Sequence, residues 1–60
     1  MKMIIAKDNF ENGGAKYHVI VHEFDGDKFC TMYKDGSFIH KNDWNEAEKE
    51  LAEKMIADNQ

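Results

Sequence analysis

The stretch "KFCTMYKDGSFIH", residues 28–40, decides the fold. Asp35-Gly36 lies between two apolar runs, and an Asp-Gly pair there is a strong hairpin signal because the turn needs positive φ at its centre. A two-residue turn at this pair sets Tyr33 opposite Phe38, Met32 opposite Ile39 and Thr31 opposite His40. Side chains alternate along a strand. Cys30, Met32 and Ile39 therefore share one face, and Phe29, Thr31, Tyr33, Phe38 and His40 share the other.

Working outward, "YHVIVHEF" (17–24) is a strand by its β-branched and aromatic content. A turn at either Asp25-Gly26 or Gly26-Asp27 joins Val19 and Val21 to the aliphatic set. The same turn joins His18, Ile20, His22 and Phe24 to the aromatic set. "KMIIA" (2–6) reads as a further strand and "KDNFENGGAK" (7–16) as a loop. If Asn12-Gly13 closes this first hairpin, Ile4 and Ala6 fall on the aliphatic face, with Met3 and Ile5 on the aromatic face. Strands are expected at about 2–7, 16–24, 28–34 and 37–41.

"NDWNEAEKELAEKMIAD" (42–58) is rich in strong helix formers and predicts a helix over about 43–58. Asp43 followed by Glu46 resembles a capping box, with Asn42 as an alternative cap. Trp44, Ala47, Leu51 and Met55 form the inward stripe, widened by Ala52 and Ile56. The fold class is α+β: a four-stranded antiparallel β-meander with one C-terminal helix on one face, in a single domain spanning residues 1–60.

One helix covers one face of such a sheet, yet both faces are apolar. A sheet wetted on one side ordinarily alternates apolar and polar residues. The helix is expected on the aliphatic face, because covering His18, His22, His40 and Thr31 demands a partner for each, at about 1–3 kcal/mol for every one left unpaired. The competing arrangement buries the aromatic face, whose Phe side chains offer more area. Either way an apolar face remains open, and such a patch marks an association surface.

The 60 residues carry a net charge of −4, and the excess is local. Residues 1–42 hold six lysines and six acids, whereas from Asp43 onward six acids face only Lys49 and Lys54. Without arginine or a basic cluster, direct nucleic-acid binding is disfavoured. Cys30 is the only cysteine, which excludes an intrachain disulfide and suits a reducing compartment. "MKMIIAK" (1–7) is too short for a signal-peptide core or a membrane span, so a soluble cytoplasmic protein is expected.

No motif points to catalysis. His18 and His22 share a face but stand four strand steps, roughly 13 Å, apart, too far to hold one ion. His22 and His40 are expected to flank Thr31 in a cross-strand row. Cys30, mid-strand among Val and Met, reads as a buried thiol. Neither "DNFENGG" nor "FDGD" has calcium-loop spacing, and no nucleotide or zinc motif occurs. The reading is a non-enzymatic protein-binding module, an inhibitor of a host enzyme or complex, with no catalytic residue, metal or cofactor. Its expected partner-binding residues on the sheet are His22, Phe24, Phe29, Tyr33, Phe38 and His40, through which a homodimer is also expected. Glu46, Glu50 and Glu53 form an acidic helix stripe that would mimic nucleic acid toward a nucleic-acid-handling enzyme.

This compact acidic strand-and-helix plan resembles, by analogy of plan and without a shared motif, the small phage- or mobile-element-encoded inhibitors that include anti-CRISPR proteins. The alternative is a metal- or small-molecule-responsive regulatory domain using His18, His22 and His40.

Overall fold

A computed structural model describes residues 1–60. It contains strands β1 (Met3–Asn12), β2 (Ala15–Phe24), β3 (Asp27–Lys34) and β4 (Ser37–Ile39), a 3₁₀ turn (Lys41–Asp43) and helix α1 (Glu46–Asp58). The strands form one antiparallel sheet in the order β1-β2-β3-β4, and α1 packs mainly across β2 and β3. This is the expected meander with its C-terminal helix.

The two Asp-Gly turns set the register. Asp25 and Gly26 have φ of 51° and 84°, and Asp35 and Gly36 have φ of 50° and 85°. Two consecutive left-handed residues match the right-handed twist of the flanking strands, and Asp tolerates the first position because its short side chain bonds locally. Asp35 is held in addition by a distant residue: its carboxylate accepts from the Lys16 N–H at 3.0 Å while its own N–H donates to the Lys16 carbonyl at 2.7 Å. Val21 then faces Cys30, Val19 faces Met32, Tyr33 faces Phe38 and Met32 faces Ile39.

The helix covers the aliphatic face. Val19, Val21 and Met32 are wholly buried, and Ala15, Tyr17, Cys30, Trp44, Ala52 and Met55 complete the core. Cys30 is a buried thiol whose S–H donates to the Ala52 carbonyl at 3.5 Å, and burial pushes its pKa up.

Four local expectations are corrected. Residues 8–12 are strand and not loop: β1 runs on to Asn12, Phe10 faces Tyr17, and Gly13-Gly14 makes the turn in place of Asn12-Gly13. A β-bulge lies between Ile4 and Ala6, where Ile4 pairs with His22 but Ala6 pairs with Val21. The extra residue flips every position before it. Ile4 thereby moves to the aromatic side, Met3 moves to the aliphatic side opposite Glu23, and Ile5 packs against the core.

The other two corrections concern the helix entry. β4 ends at Ile39 and does not reach residue 41, so His40 never faces Thr31. Local bonds pull the chain away: the Asn42 N–H donates to His40 Nδ1 at 3.3 Å, and the Asp43 N–H donates to the His40 carbonyl at 2.8 Å. The Trp44 indole N–H donates to the Ile39 carbonyl at 3.2 Å, pinning the exit. The cap is Asn45, not Asp43 or Asn42, and α1 starts three residues later than expected. Trp44 therefore lies ahead of the helix and does not belong to its inward stripe, which is Glu48, Ala52 and Met55, while Ala47 is exposed.

Glu48 closes the interface between helix and sheet. It is 4% exposed, and both carboxylate oxygens are used. Oε1 accepts from the Asn45 N–H at 2.8 Å, and the Glu48 N–H returns a bond to Asn45 Oδ1 at 2.9 Å. Oε2 accepts from the Tyr17 hydroxyl at 2.8 Å, with Lys34 Nζ 3.8 Å away. The Asn45 N–H foremost, then the Tyr17 hydroxyl and the Lys34 charge, hold this carboxyl below its ordinary pKa of 4.5 against the opposing effect of burial. Burial, followed by the Glu48 bond and charge, raises the Tyr17 pKa.

The sign of the pH effect follows. With the folded pKa depressed, stabilisation from Glu48 is complete above its ordinary value and is lost as pH falls through the folded value. In urea titrations, Tyr17→Phe is expected to lose about 1–3 kcal/mol. Glu48→Gln is expected to be less stable at neutral pH and to flatten the loss of stability below the ordinary carboxyl value. The bulge predicts that Ile5→Ala costs about 1 kcal/mol more than Ile4→Ala in the same assay, since only Ile5 meets the core.

Candidate protein-binding face

The face of the sheet away from α1 is built from cross-strand rows. In the first row Asn9, His18, Tyr33 and Phe38 stand side by side across all four strands. His18 Nδ1 meets Asn9 Oδ1 at 2.7 Å, the His18 and Tyr33 rings lie 6.2 Å apart, and Tyr33 meets Phe38 edge-on at 5.6 Å. In the other aromatic row Ile4, His22 and Phe29 are neighbours. His22 and Phe29 stack at 5.0 Å with 13° between their planes. Between the two rows lie Lys7, Ile20 and Thr31, and Phe24 closes the far end.

The large side chains of this face stay in solvent. Phe38 is 55% exposed, Ile4 54% and Phe24 48%, and Phe29 is also exposed. Tyr33 is half-buried. Four of the six expected sheet-face residues, Phe24, Phe29, Tyr33 and Phe38, thus lie together on an uncovered surface. The remaining two do not take the expected place. His40 is off the sheet, exposed, at the start of the 3₁₀ turn. His22 is on the face but only 6% exposed, so it supports Phe29 from beneath. Ile4 was missed because its exposure follows from the bulge, which no turn motif announces.

His22 is held neutral. Its Nε2 meets Thr31 Oγ1 at 2.9 Å, while Nδ1 is buried with no partner. Lys2 Nζ lies 5.7 Å from the Phe29 ring centre, on a ring already stacked with His22. Burial first, then the Lys2 charge, lowers the His22 pKa from its ordinary 6.5.

The histidines are not brought together: His18 is tied to Asn9, His22 to Thr31, and His40 to the 3₁₀ turn. No three His, Cys, Asp or Glu side chains converge in a geometry that would hold a metal ion. Glu46, Glu50 and Glu53 are exposed on α1 as expected. Glu46 pairs with Lys49 at 3.5 Å, an exposed contact of little energetic consequence. No helix is long and apolar enough to cross a membrane. Comparison with protein-family models, curated proteins and solved structures finds no match for this chain.

An NMR titration is expected to show the His22 ring protons moving with a midpoint below 6.5, accompanied by Phe29 and Thr31. Because the folded pKa is lowered, the stability linked to neutral His22 is complete above pH 6.5 and declines as pH falls through the folded value. A midpoint at or above 6.5 would contradict the burial of this ring.

Proposed function

We propose that this chain is a non-enzymatic protein-binding module, acting as an inhibitor that occupies a surface of a partner protein through its open sheet face. The carrying observation is that Ile4, Phe24, Phe29 and Phe38 remain in solvent on one face while α1 covers the other. Aromatic residues, enriched at the cores of interfaces, dominate this patch. Its central rows hold no acid; Lys7 stands on its β1 edge and the Lys2 ammonium lies over the Phe29 ring. An apolar surface with acidic groups at its rim is the complementary partner.

A partner of different sequence fits better than a second copy. Strand spacing and row spacing give the patch a projected area of roughly 400 Å². That is about half of what each side of a standard interface buries. Two copies laid face to face would also bring their lysines into one interface.

Light scattering is expected to give a mass near the monomer's 7.0 kDa. The same protein should enhance 8-anilinonaphthalene-1-sulfonate fluorescence. Phe24→Asp combined with Phe38→Asp should abolish the enhancement while the chain stays folded with at most a small loss of Tm, because neither side chain belongs to the core. A wild type that does not bind the dye removes the basis of the reading. A stable dimer dissociated by the double variant would show that a second copy is the occupant. A protein captured from the source cells by the wild type, and not by the double variant, should lose activity when purified and mixed with this chain; unchanged activity refutes inhibition.

A further inference from the structure

The sheet has a second unfinished part, at the edge of β3. In a two-residue hairpin the residues flanking the turn exchange both hydrogen bonds, and bonded pairs alternate from there. Starting from Phe24 and Asp27, the pairs His22–Phe29 and Ile20–Thr31 are bonded across β2 and β3. Lys28 and Cys30 therefore direct their main-chain N–H and C=O groups the other way, into the lane of β4. That strand has three residues and serves only Met32 to Lys34. None of the main-chain bonds in turns, loops or caps reaches Lys28 or Cys30.

The vacant lane opens onto a groove. Between the β3 edge, the 3₁₀ turn and α1 lies a depression of about 460 Å³, floored by Cys30, Trp44, Ala52 and Ile56. Around it stand Lys28, Lys41 and Lys49 against a single acid, Glu53. Three of the eight lysines of an acidic chain thus gather at one unpaired strand edge. Lys49 stays available, because its contact with exposed Glu46 is weak.

We propose that this lane is a second binding site, taking an extended acidic segment of another protein as an added strand. The segment continues the path that β4 abandons at Ile39. Lys28 and Cys30 are two residues apart, roughly 6.8 Å, the repeat at which an extended chain presents its own N–H and C=O groups. Up to four main-chain bonds form. The side chain turned toward α1 drops onto Cys30, Trp44 and Ile56, so an apolar residue belongs there. Acidic residues on either side meet Lys28, Lys41 and Lys49. The site shares Phe29 at its margin with the open face, but Phe24 and Phe38 take no part in it, so variants at those two positions separate the two readings.

The test uses the peptide EDVIVDE, the basic peptide KKVIVKK, and two forms of EDVIVDE N-methylated on alternate sets of amides, followed by NMR on the full chain. EDVIVDE is expected to shift Lys28–Thr31 saturably and to slow exchange of the Lys28 and Cys30 amides. Methylating one alternate set should abolish binding and the other should not, because only every second amide faces β3. Lys28→Glu with Lys41→Glu should weaken binding by roughly tenfold or more, and KKVIVKK should not bind. The Phe24→Asp and Phe38→Asp variant should bind as the wild type does. The proposal fails if no saturable shift occurs, if the shifts map to His18 and Phe38, or if both methylated forms bind equally. It also fails if the Lys28 and Cys30 amides slow with rising protein concentration and no peptide, since a second copy would then fill the lane.

Discussion

The structure turns on one carboxylate. Glu48 joins the first turn of α1 to the sheet by accepting from the Asn45 backbone and from the Tyr17 hydroxyl, with Lys34 alongside. A buried carboxylate is tolerated only when its lone pairs are filled, and Tyr17 lies on the aliphatic side of β2. The bond therefore specifies which face α1 covers as well as where it begins. The same face offers Val19, Val21 and Met32, which need no polar partner. Apolar burial supplies the attraction, and Glu48 makes the docking directional.

Everything exposed follows from that placement. Once α1 lies on β2 and β3, the aromatic rows have no second layer. Their polar members are satisfied within the sheet: His18 by Asn9, and one nitrogen of His22 by Thr31. The unpaired Nδ1 of buried His22 is the one polar cost this face carries. Its residues sit on paired strands of one sheet, and a pre-organised surface loses less entropy on binding. At the β3 edge the cause is different: the bonds around His40 and the Trp44 indole end β4 early and leave main-chain groups unused.

Much of this was legible in the residues. Two Asp-Gly pairs with period-two alternation carried the strand order, the β2–β3–β4 register and the two-faced sheet, because positive φ at a turn and side-chain alternation are local constraints. The preference of α1 for the aliphatic side was also legible, from the cost of burying histidines. The bulge was not. Inserting Ile5 changes no composition and no turn signal, yet it exchanges the faces of Ile4 and Met3. The helix start was misread for a related reason: Asp43–Glu46 and Asn45–Glu48 both satisfy the capping pattern. Only the second lets Glu48 reach Tyr17, 31 residues away in the chain.

By itself, then, the sequence determined the class of fold, the partition of β2, β3 and β4 into aliphatic and aromatic faces, and the existence of an uncovered apolar surface. These depend on dihedral preferences and on a periodicity read between near neighbours. Tertiary structure decided which isoleucine is exposed, that His22 is buried while His40 leaves the sheet, and that Glu48 turns inward to become the anchor. It also decided that β3 keeps a vacant edge beside three lysines. Each of these depends on competition between a local bond and a distant partner, and that competition is settled only when the layers meet.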